Sequence, residues 1–248
     1  MWWIWTVCIG LASGAPVDTL TSELERWKAH RSPDTVPDIH GSEYARALSG
    51  EIVVGTEVVE GFKAVKSYGL IAVDLPIGIV WKAVADKDHH AHHLSVSHSK
   101  TVDGTPRSSD HTIFQFLDIP ILANRWWLVR IRYNETLYTA SNGRAWELWW
   151  SDRNQEPELR SRLDSSLLDD GIPIAWSKGA WLLVDLGNNT TLIEYHTWSD
   201  PGGSIPVAAT TRFAAGTVKT NLTSMVTFTR EHIPTCPSTF MKPDGSAL

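Results

Sequence analysis

The sequence has few of the features that mark nucleic-acid-binding or membrane-spanning proteins. Its 248 residues carry 22 lysines and arginines against 28 aspartates and glutamates, a formal net charge of −6. No basic cluster is dense enough to follow a phosphate backbone, so we expect no nucleic-acid partner. No apolar run reaches the ~18 residues of a membrane span. With 42% hydrophobic and 20% charged residues, the composition is that of a globular chain that can build a core.

Cysteine is also scarce, because the chain has only two. Cys8 lies in the apolar run of residues 1–12, MWWIWTVCIGLA, which small Ser-Gly-Ala residues follow. The run is too short to cross a bilayer but is typical of a secretory signal peptide, although it lacks a basic start; an uncleaved apolar arm is the alternative. We expect residues 1–15 to be removed and the mature chain to be secreted or periplasmic. Cys236 then has no internal disulfide partner.

Motifs of common enzyme classes are missing. No GxSxG, phosphate loop, dinucleotide fingerprint or HExxH motif occurs, and we expect no cofactor. The densest group of potential ligands is residues 88–93, DHHAHH. On a helix His89 would face His92 and His93, which is a spacing that zinc uses. Because no cysteine or acidic motif accompanies them, we predict a solvated, histidine-rich connection and no metal site.

Tryptophan, in contrast, is plentiful, with thirteen residues. Indoles either fill a rigid core or line a cavity for a large apolar ligand, and composition leaves both open. In the strand-like run 125–133, alternate residues share a face. One face carries Arg125, Trp127, Val129 and Ile131, and the other carries Trp126, Leu128, Arg130 and Arg132. We expect the first, more apolar set to look inward, with Arg125 as a single charge at the end of the wall.

A long helix is predicted near the C-terminus. After Pro206, apolar or small residues recur at steps of three and four, which places them on one helical face. The helix would run roughly 40 Å and needs a partner surface of matching length. Before it, residues 200–206, DPGGSIP, form a glycine-containing loop, which we interpret as a gate. The face consists of Val207, Thr211, Ala214, Val218, Leu222, Met225 and Thr229.

The other patterns predict an antiparallel α+β domain, since strands follow one another without crossover helices. A charged surface insertion at 154–171 interrupts the strands, and the tail from 234 onward is expected to lie outside the core. The predicted helices are 19–30 and 76–86, and the predicted strands are two or three within 51–74, then 111–117, 125–133, 143–150, 174–185 and 191–198.

Several short motifs stand in a fixed order through most of the chain. They are Ile71-Ala-Val-Asp-Leu-Pro, Val80-Trp81 with Asp86, Ile119-Pro120 before Asn124-Arg125, Gly179-Ala-Trp181, and Asp200-Pro-Gly-Gly-Ser-Ile-Pro. Their order resembles that of the START (steroidogenic acute regulatory protein-related lipid transfer) family, within the wider polyketide cyclase-like helix-grip superfamily. The resemblance covers a lipid-binding domain at residues 50–232. The sequence patterns described above add a signal peptide (1–15), an N-terminal helix and linker (16–49) and a flexible tail (233–248).

The resemblance implies a helix-grip fold, in which a curved antiparallel sheet wraps the C-terminal helix and encloses an apolar tunnel. It also implies a monomer that binds, and transfers, a lipid or other hydrophobic small molecule and touches membrane surfaces transiently. Sterol is not supported, because Trp126 stands where the family often has an acidic residue and residues 95–100 contain none. The residues expected to contact the ligand are Arg125, Trp127, Val129, Ile131, Trp181, Gly202, Gly203, Thr211, Ala214 and Val218.

A second function stays open at this point. Polyketide cyclases share the helix-grip fold, and Glu194 and His196, on one strand face with Trp198, are candidate acid/base groups. We favour an outward, polar face for them, since alternation fits an exposed face. The sequence therefore favours a carrier without catalytic residues over an enzyme.

Overall fold

The computed structural model describes residues 17–32, 36–62, 64–119, 123–203, 207–233 and 239–248. The predicted signal peptide lies outside these residues, as do the ends of two loops that the sequence singled out, 120–122 and 204–206. None of the helices in the described part of the chain combines the length and the hydropathy that a membrane span needs.

Seven α-helices and nine β-strands make up the described part of the chain. The helices are α1 (Val17–Trp27), α2 (Gly41–Leu48), α3 (Ile77–Ala85), α4 (Glu135–Ala140), α5 (Pro157–Arg160), α6 (Ser165–Asp170) and α7 (Val207–Glu231). The strands are β1 (Val53–Val58), β2 (Val65–Val73), β3 (His98–Gly104), β4 (Asp110–Leu117), β5 (Asn124–Tyr133), β6 (Ala145–Asp152), β7 (Gly171–Pro173), β8 (Trp176–Gly187) and β9 (Thr190–Asp200).

The strands form one sheet in the order β1-β2-β9-β8-β6-β5-β4-β3, with short β7 beside β5. All neighbours are antiparallel except β5 and β7. The predicted antiparallel α+β class is therefore confirmed. The turn between β8 and β9 is Gly187-Asn188-Asn189, and all three residues have positive φ, which glycine and asparagine tolerate best.

Helix α7 packs against β2 and β1 with the face that the sequence predicted. Val218, Leu222, Met225 and Thr229 are buried. The approach is close because Gly69 of β2 has no side chain: a Cβ there would lie 2.4 Å from Leu222 Cδ1 and 2.7 Å from Val218 Cγ1. Glycine at this position thus lets the helix lie directly on the sheet.

The opposite face of the sheet is also covered. Leu20, Leu24 and Trp27 of α1 pack on Leu182 and other apolar residues of β8 and β9. A second helix, α2, follows α1 and precedes the first strand, and the sequence did not predict it. On strand β5, Trp126 and Leu128 pack with Leu159 of the insertion at residues 154–171. These layers bury both faces, so the outward-facing residues of several strands are core residues.

The C-terminal tail corrects the prediction that it lies outside the core. Phe240 is 1% exposed and belongs to the main hydrophobic cluster. The indole nitrogen of Trp81 donates to the Met241 carbonyl at 2.7 Å, and the Leu248 amide donates to the Phe240 carbonyl at 3.0 Å. A tail rich in proline and serine is thus held by one aromatic anchor, which composition alone does not indicate.

Candidate functional site

A cavity of about 370 Å³ lies between the sheet and helix α7. Strand β5 supplies one wall through Arg125, Trp127, Val129 and Ile131, as its alternation predicted. The wall is about 20 Å long, at roughly 3.4 Å per residue over six residues. The volume of the cavity lies toward the lower end of the ~300–1,000 Å³ that is typical of small-molecule sites.

The remaining aromatic lining comes from the centre of the sheet, where Trp150, Trp181 and Tyr195 stack side by side. The Trp150 ring occupies the space over Gly179, since a Cβ there would lie 2.3 Å from Trp150 Cζ2. The Trp150 indole nitrogen donates to Ser177 Oγ at 3.0 Å. A glycine in the middle of a strand therefore positions an indole in the cavity wall.

The structure separates the residues expected to contact the ligand into two groups. Arg125, Trp127, Val129, Ile131, Trp181 and Ala214 line the cavity. Gly202, Gly203, Thr211 and Val218 do not, although Pro201 beside the two glycines does. Val218 turns to Gly69 of the sheet instead. Helical spacing places a residue on a face but does not separate its sheet-packing edge from its cavity edge.

A depression at the surface shares Ser95, Leu117, Ile119, Phe213 and Thr217 with the cavity lining. It lies between the end of β4 and the first half of α7, and we take it as the cavity mouth. Phe213 is 49% exposed there. Of the described residues in the loop that the sequence suggested as a gate, Pro201 lines the cavity and none lines this depression.

Arg125 links the start of β5 to this loop. Its Nε donates to the Pro201 carbonyl at 2.8 Å, and its Nη1 donates to the carbonyls of Ala123 and, at 3.3 Å, Asn124. Burial lowers its pKa, which remains that of a fixed cation. Much of its hydrogen-bonding capacity thus holds backbone, while the side chain lines the cavity.

Most polar groups on the cavity wall have partners. Ser95 Oγ donates to Asn221 Oδ1 at 3.0 Å. Burial raises the pKa of Tyr195, and a hydrogen bond with Asn221 lowers it. Burial is the larger effect, so the pKa rises to about 12. The Ser177 and Ser199 hydroxyls lie 2.8 Å apart. Because these groups satisfy one another, they present a closed wall to an apolar ligand.

The histidine-rich connection is not uniformly solvated, which corrects the sequence prediction. It forms a 3-10 turn, Lys87–His92, in which His90 is 2% exposed and lines the cavity. Two neighbouring histidines have other partners: His89 Nδ1 lies 2.9 Å from Asp86 Oδ2, and His93 stacks on Phe228. Within the described residues, no three His, Cys, Asp or Glu side chains are grouped to hold a metal ion.

Lys87, which the sequence prediction overlooked, also lines the cavity and is 4% exposed. Among the residues that the structure describes, no acceptor or carboxylate lies within bonding distance of its ammonium group. Burial lowers the pKa of Lys87 to about 7. Burial and the charge of Lys87 together lower the pKa of His90 well below 6.5. A lysine at the start of a polar turn has no sequence signature that predicts this burial.

Glu194 and His196 face away from the cavity, as predicted, but they are buried rather than exposed. The N-terminal segment covers them, and Arg31 contacts both Glu194 and Glu147. Burial raises the pKa of Glu194, but the charge of Arg31 and the hydrogen bond from His196 outweigh it and lower the pKa to about 2. This pair is therefore a structural ion cluster beneath α1 and cannot act on a ligand in the cavity.

Comparison with solved structures identifies the architecture. A STAR-related lipid transfer protein from Xanthomonas axonopodis superposes with a TM-score of 0.60 at 20% identity, over 73% of this chain and 94% of that chain. Human STARD10 gives 0.58 at 13% identity over 81% and 84%, and the lipid transfer and protein localization domain of human StarD13 gives 0.56 at 13% over 85% and 95%.

No protein-family model matches the sequence, and no curated protein matches it in a sequence search. The likeness is therefore one of three-dimensional structure, and it agrees with the order of the motifs along the chain. The nine-stranded sheet, the long C-terminal helix on it and the cavity between them give this chain the helix-grip fold of the START lipid-transfer domains.

Proposed function

We propose that this protein is a non-catalytic carrier that holds one lipid-like molecule in the cavity between the sheet and α7. The observation that carries the proposal is the cavity itself, whose walls are mainly aromatic and aliphatic and whose polar groups mostly bond to one another. Burying an alkyl chain contributes about 0.8 kcal/mol per CH₂, so such a cavity binds a lipid with few polar contacts.

The volume limits the size of the ligand. At about 370 Å³, the cavity suits one acyl chain or one small ring system more than a two-chain phospholipid. The mouth beside Phe213 supports entry from a membrane surface, because an exposed aromatic side chain at the rim can enter the lipid interface. We further propose that the protein acts as a monomer that meets membranes transiently.

The loop before α7 is the proposed gate. Gly202 and Gly203 both have positive φ, +68° and +71°, and the Gly202 amide donates to Asp200 Oδ1 at 2.8 Å. Arg125 holds the same loop through the Pro201 carbonyl. Within the described part of the loop, opening at Gly202 and Gly203 would break these two hydrogen bonds, and we propose the two glycines as the hinge.

The cyclase-like alternative loses its candidate pair, since Glu194 contacts Arg31 and His196 contacts Glu194, both outside the cavity. The carrier function is therefore the better supported of the two. Export is proposed separately, from the apolar run at residues 1–12.

Paired alanines of α7 provide the test. Ala214 lines the cavity and its neighbour Ala215 does not. Ala214→Trp should fill the cavity and lower the affinity for 1-dodecanol at least tenfold, as followed by intrinsic tryptophan fluorescence. Ala215→Trp, the matched control, should bind as the parent does. Equal binding by both variants would show that dodecanol binds elsewhere and would refute the cavity as the site.

A further inference from the structure

Lys87 is the one cationic side chain among the described cavity-lining residues whose charged group contacts no protein acceptor. The other cation, Arg125, donates to three backbone carbonyls. The hydroxyl and amide groups of the wall pair with one another. A buried ammonium group without a counterion is unfavourable, and proteins keep such groups where a ligand supplies the missing charge.

The neighbouring acidic residues do not serve as this counterion. Asp86 accepts from Arg107 at 2.7 Å and lies beside His89. Asp88 accepts from the Thr101 amide and hydroxyl. Neither carboxylate forms an ion pair with Lys87 among the described residues, and burial lowers the pKa of Lys87.

The turn that carries Lys87 packs on β3, and His111 of β4 lies near both Lys87 and the carboxylates of Asp88 and Asp110. His111 of β4 donates from Nδ1 to the Ser108 carbonyl, at 3.0 Å, and its Nε2 is buried without a partner among the described residues. Burial lowers the pKa of His111 to about 4, and the charge of Lys87 contributes. His90 lies on the same turn as Lys87. The described residues that line the cavity include no Asp or Glu, so no carboxylate of the lining competes with an anionic ligand for Lys87.

We propose that Lys87 binds the carboxylate of a single-chain lipid, so that a fatty acid or a similar monocarboxylate is the ligand class of this cavity. This inference rests on the proposed carrier function and makes it more specific. Lys87 and His90 are absent from the lining of the mouth, and His111 pairs with Ile131, six residues from Arg125. The carboxylate thus lies inside the cavity and the chain extends along β5 toward the mouth.

The charge balance makes the binding depend on pH. Carboxylate binding requires the ammonium form of Lys87, and the ion pair then keeps that proton in place. Between pH 6.5 and 8.5 the protonated fraction of Lys87 in the ligand-free protein falls about 25-fold for a pKa near 7. The affinity for a carboxylate should fall by a similar factor, whereas an alcohol of the same length should show no such loss.

The experiment compares dodecanoic acid with 1-dodecanol on the full chain by tryptophan fluorescence. Lys87→Met keeps the aliphatic stem and removes the charge, and Lys82→Met, outside the cavity lining, is the matched control. We expect Lys87→Met to weaken dodecanoic acid at least ~30-fold and to abolish its pH dependence, because a buried ion pair loses one partner. Dodecanol binding should be unchanged or tighter, and Lys82→Met should resemble the parent.

Three outcomes would overturn the inference. Equal acid affinity in the parent and Lys87→Met, with dodecanol bound by both, removes Lys87 from the site and leaves the carrier function standing. Loss of acid binding in Arg125→Met alone assigns the carboxylate to Arg125, at the start of β5, instead. Failure of both ligands to bind the parent refutes the single-chain carrier and this inference together. The pH dependence of the parent tests Lys87 even if the variant does not fold.

Discussion

Replacing Lys87 by methionine should stabilise the ligand-free protein, although it removes a charged residue. The side chain is 4% exposed and no described carboxylate compensates it. Its pKa falls from 10.5 to about 7. At 1.36 kcal/mol per pKa unit, the folded state bears a cost on the order of 5 kcal/mol below pH 7. Methionine fills nearly the same volume without that cost.

The low pKa of Lys87 also determines how the stability difference between the variant and the parent changes with pH. Between pH 7 and 10.5 the unfolded chain keeps the lysine proton and the folded chain does not, so the stability of the parent rises with pH by up to about 1.4 kcal/mol per unit. The Lys87→Met variant lacks this contribution. The stability difference between variant and parent is thus largest below pH 7 and shrinks toward pH 9.5.

Urea denaturation of the delipidated proteins at pH 6.5, 8 and 9.5 measures this difference. Lys82→Met controls for loss of a surface lysine. A Lys87→Met variant that is less stable than the parent at pH 6.5, or a difference that does not change with pH, would refute the reasoning. Either result would mean that Lys87 has a protein counterion.

The remaining predictions concern the buried ion pair of Arg31 with Glu194, two glycines of which one is crowded and the other has open space around it, and the loop before α7. Arg31→Met should lower the free energy of unfolding by about 3–5 kcal/mol at pH 7, since Glu194 stays buried without its cation; a change below 1 kcal/mol in urea denaturation would contradict this. Gly179→Ala should destabilise the protein through its clash with an indole, whereas Gly216→Ala, with open space around it, should stabilise α7 by about 1 kcal/mol; thermal melts compare them. Gly203→Ala should speed ligand release in stopped-flow fluorescence, because alanine at positive φ costs about 1–2 kcal/mol in the closed loop; slower release would exclude the gate.

Periodicity predicted the parts of the fold that have one strongly apolar face. The alternation of residues 125–133 identified the cavity wall, and the three- and four-residue spacing after Pro206 identified α7. It failed for β3, whose sequence HSKTVDG has no alternation because it is an edge strand with both faces partly exposed. The tail was misjudged for a similar reason, since within residues 239–248 its contact with the core depends on one aromatic side chain, Phe240, and on the Met241 carbonyl.

The candidate site was predicted only where the residues are apolar. Burial of Lys87 and of Glu194 depends on the tertiary structure. Strand β3 packs on the turn that carries Lys87, and the segment ending at Arg31 covers Glu194. A charged residue has the same local signature whether it is solvated or enclosed by such elements. The chemistry of the cavity therefore became visible only with the tertiary structure.

Native mass spectrometry of the purified protein, before and after organic extraction, tests the carrier function most directly. We expect a mass excess of one small lipid per chain that extraction removes, and that added dodecanoic acid restores in the parent but not in Ala214→Trp. A protein that shows no bound molecule and accepts neither dodecanoic acid nor dodecanol at a ratio of one to one would contradict the carrier function.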